Sequence, residues 1–383
     1  MAQLAFLNAR LITPEELLLD AALLVQDGRI LGTVAPTAVP AEFAPIDLAG
    51  NWCAPGFIDV HLHGAGGADA LDGEIAAVRQ LANKHLYQGT TTLYPTVISA
   101  SPAKTSQAIK AVQQVMQSED FFGRILGVHL EGPFLAPEYC GSHEVEQLRQ
   151  PIDCVAEWQR YLAEPTVRLI TLAPELPGSE ALVRTAALRG VKTAVGHSGA
   201  DFDLLREAST WGINQGSHLF NAMKGIHHRD PGTAGALLAM NRFYVQIIAD
   251  GHHLHPAMLR ITVRCKGPER TILVSDAIRC AGMPDGDYLL GESQITMQDG
   301  VARTASGQLA GSTIYLADAV RHMVLATSTG LQTAVQMATS TPAKAMGIES
   351  TKGSLNKGRD ADLVVMDDDL KIVQVWSRGS QIR

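Results

Sequence analysis

The chain has 383 residues, 46% of them hydrophobic and 18% charged, which suits a globular protein too large for one small core. Its formal net charge of -8 supplies no general positive field for polyanions. That excludes the usual nucleic-acid and anionic-membrane binders, so an anionic substrate would need local positive partners.

In chain order, "LAFLNARLI" and "ALLVQDGRILGTV" predict short strands, with Asp27-Gly28 as a hairpin turn because Gly tolerates positive φ. The far end, "KGSLNKGRDADLVVMDDDLKIVQVWSRGSQIR", has the same texture. Neither end carries enough apolar residues to fold alone, and pairing them into one small β domain would join the termini. Between them, strand-like and helical patterns alternate. The strand-like runs are "GFIDVHLH", "GTTTLYPTVI", "RILGVHLEG", "VRLITLAPE", "VKTAVGHS", "INQGSHLF", "FYVQIIADG" and "RTILVSDA". Helical patterns include "EIAAVRQLANKHLYQG", "PAKTSQAIKAVQQVMQSED", "EALVRTAALRG" and "DFDLLREASTWG"; Ser101-Pro102 reads as an N-cap with Pro at the first helical position. Eight such strands predict an α/β fold, a (β/α)8 TIM-like barrel, whose catalytic groups lie at the strands' C-terminal ends. A doubly wound open sheet is the alternative, although no GxGxxG follows the first strand. The Gly- and Asp-rich stretch from about 281 to 311 predicts an inserted hairpin or lid, and its "QLAGS" could close over a ligand.

The strand ends carry the chemistry. In "PGFIDVHLHGAGG", Asp59, His61 and His63 alternate and would project to one face of a strand. Glu131 ends the third run, His197 the fifth, His218 the sixth and Asp276 the eighth. One such residue is more often structural. Six at corresponding barrel positions would meet at one mouth, and burying each without a partner would cost on the order of 2–7 kcal/mol. A divalent cation supplies the compensation. Imidazole and carboxylate donors without thiolate fit Zn²⁺, with Fe²⁺, Mn²⁺ or Co²⁺ as alternatives. With no redox motif in sight, hydrolysis is expected, with Asp276 as the base that takes a water proton and returns it to the leaving group. The plainer roles for Asp276 are another ligand or a helix cap.

"GFIDVHLHG", "HLEGPF", "GHS", "SHLFNAM", "RDPG", "IADGHH", "VSDA" and "LAGS", in this order, closely resemble the N-acetylglucosamine-6-phosphate deacetylases of the amidohydrolase superfamily. "HLEGP" with the downstream "HLFNAM" is specific to that family, whereas HxH marks only the superfamily. The resemblance covers nearly the whole chain. It implies a barrel (54–349) with a small β-sandwich domain from both termini (1–53 and 350–383), usually as a homodimer. It also implies hydrolysis of N-acetyl-D-glucosamine 6-phosphate to D-glucosamine 6-phosphate and acetate in amino-sugar catabolism or recycling. By motif, Glu131, His197 and His218 match the main metal ligands and Asp276 the catalytic aspartate. His143, beside Ser142 in "GSHE", matches the histidine that orients the substrate and polarises its carbonyl. Asn221, Ala222 and the Leu309-Ala310-Gly311 stretch match substrate contacts. Arg229 and His253 match groups at the sugar phosphate, in a pocket completed by the neighbouring subunit. Some members replace HxH and use one metal; keeping His61 and His63 makes a second ion, bridged through Glu131, expected here. "VRLITLAPE" lacks the fourth-strand lysine that bridges two metals in hydantoinases and dihydroorotases.

Plainer expectations stand beside these. His227, His228, His252 and His255 are expected to be solvated or supporting residues, and His129 a hydrogen-bonded support below Glu131. Asp59 either orients an imidazole or buttresses its strand. Arg229 could make a surface ion pair, although Arg suits bidentate phosphate binding. The galactosamine epimer is the alternative substrate, and a non-catalytic sugar-phosphate sensor is the alternative from another class. Five cysteines (53, 140, 154, 265 and 280) lack CxxC spacing, "MAQLAFLNARLITPEE" lacks a signal-peptide pattern, and no apolar run approaches a membrane span. A cytoplasmic protein with no nucleic-acid or membrane partner is expected.

Overall fold

Each of the eight strand-like runs forms a strand in the computed structural model, which describes residues 3–14, 16–121 and 123–383. They are β1 (Phe57–Leu62), β2 (Thr90–Val97), β3 (Val128–Glu131), β4 (Val167–Leu172), β5 (Lys192–Val195), β6 (Gln215–Gly216), β7 (Tyr244–Ile248) and β8 (Thr271–Val274). All pair in parallel with their neighbours in chain order. The runs are nearly continuous in apolar residues because parallel strands are covered on both faces. Helices at Ile75–Tyr87, Pro102–Met116, Ser179–Leu188 and Phe202–Trp211 follow the 3.6-residue patterns. Ser101 caps the second by accepting from the Lys104 amide at 3.4 Å, and Asp201 caps the fourth by accepting from Leu204 at 2.9 Å.

The ring is closed differently at its seam. β1 and β8 stand at opposite ends of the hydrogen-bonded order. Backbone bonds join them at their C-terminal ends, from Asp276 to His61 (2.9 Å) and from His63 and Gly64 to Ala277 (2.7 and 2.9 Å). The buried Asp59 carboxylate adds a side-chain stitch by accepting from the His61 amide (3.2 Å) and the Ser275 amide (3.3 and 3.4 Å). Burial pushes that carboxyl up to about 7 despite these bonds. Of the two roles open to Asp59, the geometry serves the strand.

Both termini build sheets outside the barrel. Arg29–Val34, Ala22–Gln26, Gln3–Leu7 and Ala44–Asp47 form one, in that order. The other runs Ser380–Gln381, Ile372–Ser377, Leu363–Met366, Trp52–Pro55, Arg10–Ile12, Leu17–Leu18. Phe6, Leu11, Leu23, Val25, Cys53, Val365 and Trp376 share a core between them, with Phe6 edge-on to Trp376 at 4.9 Å. Asp27 and Gly28 both adopt positive φ (52° and 75°), as the tight turn between Gln26 and Arg29 requires. The inserted stretch is a three-stranded antiparallel sheet, Gly286–Leu290, Ser293–Gln298 and Val301–Thr304. No helix among the described residues is long and apolar enough to cross a membrane.

Candidate active site

Strand ends place every donor except His143, which comes from the connection after β3. His61 lies within β1 and His63 just past it; Glu131 is the last residue of β3; His197, His218 and Asp276 each stand two residues beyond β5, β6 and β8. Those last three hold left-handed backbone conformations, with φ of 50°, 26° and 49°. Such conformations are costly for non-glycine residues and persist where surrounding packing enforces them, typically at functional sites.

Glu131 is the hub. Its Oε1 lies 3.2 Å from His61 Nε2, 3.3 Å from His197 Nε2 and 3.0 Å from His218 Nε2. Its Oε2 lies 3.3 Å from both His63 Nε2 and His143 Nε2. Asp276 Oδ1 faces His61 and His63 at 3.4 and 3.3 Å. All seven side chains are buried. Two groups of donors are spaced to hold an ion: His61, His63 and Asp276, and Glu131, His143 and His197. His143 thus joins the donor cluster as well as the cavity wall, a closer approach to Glu131 than a purely substrate-orienting role predicts.

The outer ring nitrogens decide what the inner ones present. His197 Nδ1 lies 2.8 Å from the Tyr139 carbonyl and His218 Nδ1 3.2 Å from the Asn221 carbonyl. A carbonyl only accepts, so in the neutral rings the proton sits on Nδ1 and Nε2 is a bare lone pair. His143 Nδ1 lies 2.8 Å from Ser99 Oγ, whose own proton goes to the Glu131 carbonyl at 3.3 Å. His197 and His218 then bring two lone pairs 3.0 Å from each other, and 3.3 and 3.0 Å from the Glu131 carboxylate. Acceptors facing acceptors in a dry pocket need a positive charge between them, and a divalent cation fits this donor set. Burial drives the Glu131 carboxyl up, but the imidazoles of His61, His143, His197 and His218, when they carry protons, outweigh it and hold the group well below its ordinary range; with the rings neutral, a cation among the donors would take over that role. Asp276, also raised by burial, is brought below its ordinary value by His61 and His63. Both carboxylates are therefore ionised at neutral pH.

Above the donors opens a cavity of about 440 Å³. Ser142, His143, Asn221, Ala222, His253, Leu309 and Gly311 line it, as do His63, Glu131, His197, His218 and Asp276. The inserted sheet contributes Leu290, with Gln308 beside it. Three expected site residues do not line the cavity. His61 is fully buried beneath the cavity, Ala310 is buried behind it, and Arg229 is on an exposed loop with its guanidinium 2.8 Å from His228 Nε2. His253 is anchored by Asp250, Nδ1 to Oδ2 at 2.7 Å. His227, His228, His252 and His255 remain outside the cavity lining, and His129 is held between Thr96 (3.1 Å) and Thr171 (2.7 Å). Ser99, Glu138 and Tyr139 went unmarked in the sequence because nothing in their local pattern points at a cavity.

Known proteins are similar to this chain in sequence and fold. The chain is 36% identical to the N-acetylgalactosamine-6-phosphate deacetylase of Escherichia coli O157:H7, across 97% of each. It is 35% identical to the N-acetylglucosamine-6-phosphate deacetylase of Vibrio furnissii, across 89% of this chain and 84% of that one. Among solved structures, the N-acetyl-D-glucosamine-6-phosphate deacetylase of Mycobacterium smegmatis, a mutant in complex with N-acetyl-D-glucosamine-6-phosphate, superposes with a TM-score of 0.93. It is 35% identical and each chain is covered completely. The model of the amidohydrolase family matches residues 52–382, and with these relatives at full length the chain belongs to the amidohydrolase family.

Proposed function

We propose that this chain is a metal-dependent deacetylase that converts N-acetyl-D-glucosamine 6-phosphate and water into D-glucosamine 6-phosphate and acetate. The observation that carries the reading is the meeting of five imidazoles and two carboxylates at the floor of one cavity, in a chain whose relatives are named for this chemistry. Glu131, His197 and His218, together with His61 and His63, would hold a divalent cation, Zn²⁺ by their chemistry, which when bound would supply acidification of water and polarisation of the acetamide carbonyl. Asp276 takes the proton of the attacking water and hands it to the amide nitrogen as the C–N bond breaks. His143, its ring fixed by Ser99, orients the acetamide. Ser142, Asn221, Ala222 and the stretch from Leu309 to Gly311 form the sugar's walls. His253 supplies positive charge to the phosphate, and Arg229 completes the phosphate pocket across the interface of a homodimer. Five free cysteines fit a cytoplasmic location.

Metal analysis coupled to acetate release, on a panel of N-acetylated sugar phosphates, tests this. Acetate release should track zinc content; zinc-loaded protein that binds the sugar phosphate without releasing acetate would be a sensor. The galactosamine epimer is a second reading, because the Escherichia coli relative carries that name at 36% identity. Comparing kcat/KM on the two epimers decides between them.

A further inference from the structure

A line of buried amides runs from the donor cluster to the far side of the barrel. His61 Nδ1 lies 3.1 Å from Gln246 Oε1, Gln246 Nε2 donates to Gln215 Oε1 at 3.2 Å, and Gln215 Nε2 donates to Met346 Sδ at 3.6 Å. His61, Gln246 and Gln215 are 0% exposed and Met346 7%, so the line is shut off from bulk solvent. Gln215 lies in β6, Gln246 in the middle of β7, and Met346 ends the helix Ser340–Met346.

The sense of this line is dictated from its far end. A thioether sulfur has no proton and can only accept. Gln215 must therefore turn its NH₂ to Met346 and its carbonyl to Gln246. Gln246 must answer with its own NH₂, which leaves its carbonyl facing His61. That carbonyl accepts, so His61 carries a proton on Nδ1, and in the neutral ring Nε2 points a lone pair towards Glu131 and Asp276. Reversing both amides would set a carbonyl against the sulfur and put the His61 proton among the donors. His61 Nε2 is also a buried atom without a hydrogen-bond partner, as a bare ligand nitrogen should be.

We infer that Gln246 is a positioning residue that fixes the tautomer and aim of His61, through an amide line whose direction Met346 sets. The inference rests on the metal-dependent reading above. It assigns the neutral Gln246, within an otherwise apolar strand, to the half of the cluster built from His61, His63 and Asp276. The half built from Glu131, His197 and His218 is held by other groups, the Tyr139 and Asn221 carbonyls.

Zinc titration against a chromophoric chelator tests it. Gln246→Leu should weaken the zinc that depends on His61 by roughly 10–100-fold, the usual effect of removing a ligand's supporting partner. Zinc held by Glu131, His197 and His218 should keep its affinity, which also reports that the variant is folded. In a His61→Ala background, Gln246→Leu should change nothing further, and Met346→Leu alone should weaken the same zinc by less. Equal weakening of all bound zinc, no weakening, or a further loss without His61 would each overturn the inference. The unsubstituted chain gives an independent test. In ¹⁵N-histidine spectra, assigned through His61→Ala, His61 should carry its proton on Nδ1 with or without zinc. A bare Nδ1 would overturn the inference whatever the variants do. Failure to bind any zinc would instead defeat the metal-dependent reading itself.

Discussion

Glu131 divides its two oxygens between two sets of imidazoles, Oε1 among His61, His197 and His218 and Oε2 between His63 and His143. Glu131→Gln keeps the volume and loses the charge, so it should strip most zinc from both sets, as metal analysis of the purified variant would show. Asp276→Asn should leave substrate binding near wild type while kcat falls by roughly 10²–10⁴-fold, the usual worth of a positioned base; a wild-type kcat would remove Asp276 from that role. His253 gives a pH signature. Burial opposes its protonation, yet the Asp250 carboxylate overcomes this, with help from Asp276, and raises the ring above its ordinary value. A raised imidazole keeps its charge below its folded pKa and loses it above, so KM for the phosphorylated sugar should climb as pH passes that value. Asp250→Asn should move the climb to lower pH. Burial also raises Asp250, but the bonds from His253 win and hold it at about 2 against an ordinary 3.8. The Asp250 contribution to stability is therefore present above pH 3.8 and lost as pH falls towards 2, whereas the contribution of the His253 charge is present below its ordinary 6.5 and lost as pH rises through its raised value. The donors were legible because each is a polar residue ending an apolar run. Gln246 was not, since one neutral polar residue inside "FYVQIIADG" gives no sign of what it faces.

Among the elements, strands carried the clearest signal. Even β6, only Gln215–Gly216, is marked by the apolar run and the histidine that follows it. The helix Gly232–Ala239 gave none, because seven of its eight residues are buried and it has no polar face to set a period. The inserted sheet was legible as a stretch of turn residues, and the part it plays in the cavity became visible only through Leu290. That side chain packs with Ile98 and Ile278 over the cavity. Leu290→Ala should loosen the insert locally, since such a peripheral unit can open without the barrel. Faster amide exchange confined to 286–304 and a higher KM are expected, with little change in the barrel's exchange. Uniform acceleration across the chain would mean that the insert is integral to global stability. The ion pair between Lys104 and Glu292, exposed on both sides, should add little to this closure.

For the whole molecule, the meeting of the termini followed from the poverty of apolar residues at each end. Its register did not, because the ends meet through Leu363–Met366 paired antiparallel with Trp52–Pro55 across nearly the whole sequence, a pairing no local turn announces. Trp376→Ala should cost about 3–5 kcal/mol, measured by calorimetry, because a large aromatic is removed from the core it shares with Phe6. The damage should reach the catalytic floor, since Trp52–Pro55 runs through Gly56 straight into β1. The seam stitched by Asp59 has a consequence of its own. It unites residues 216 positions apart, and the last donor, Asp276, arrives only with the final barrel strand. Asp276 cannot join the other donors until β8 lies against β1, so the full set of side chains exists only in a completed circle.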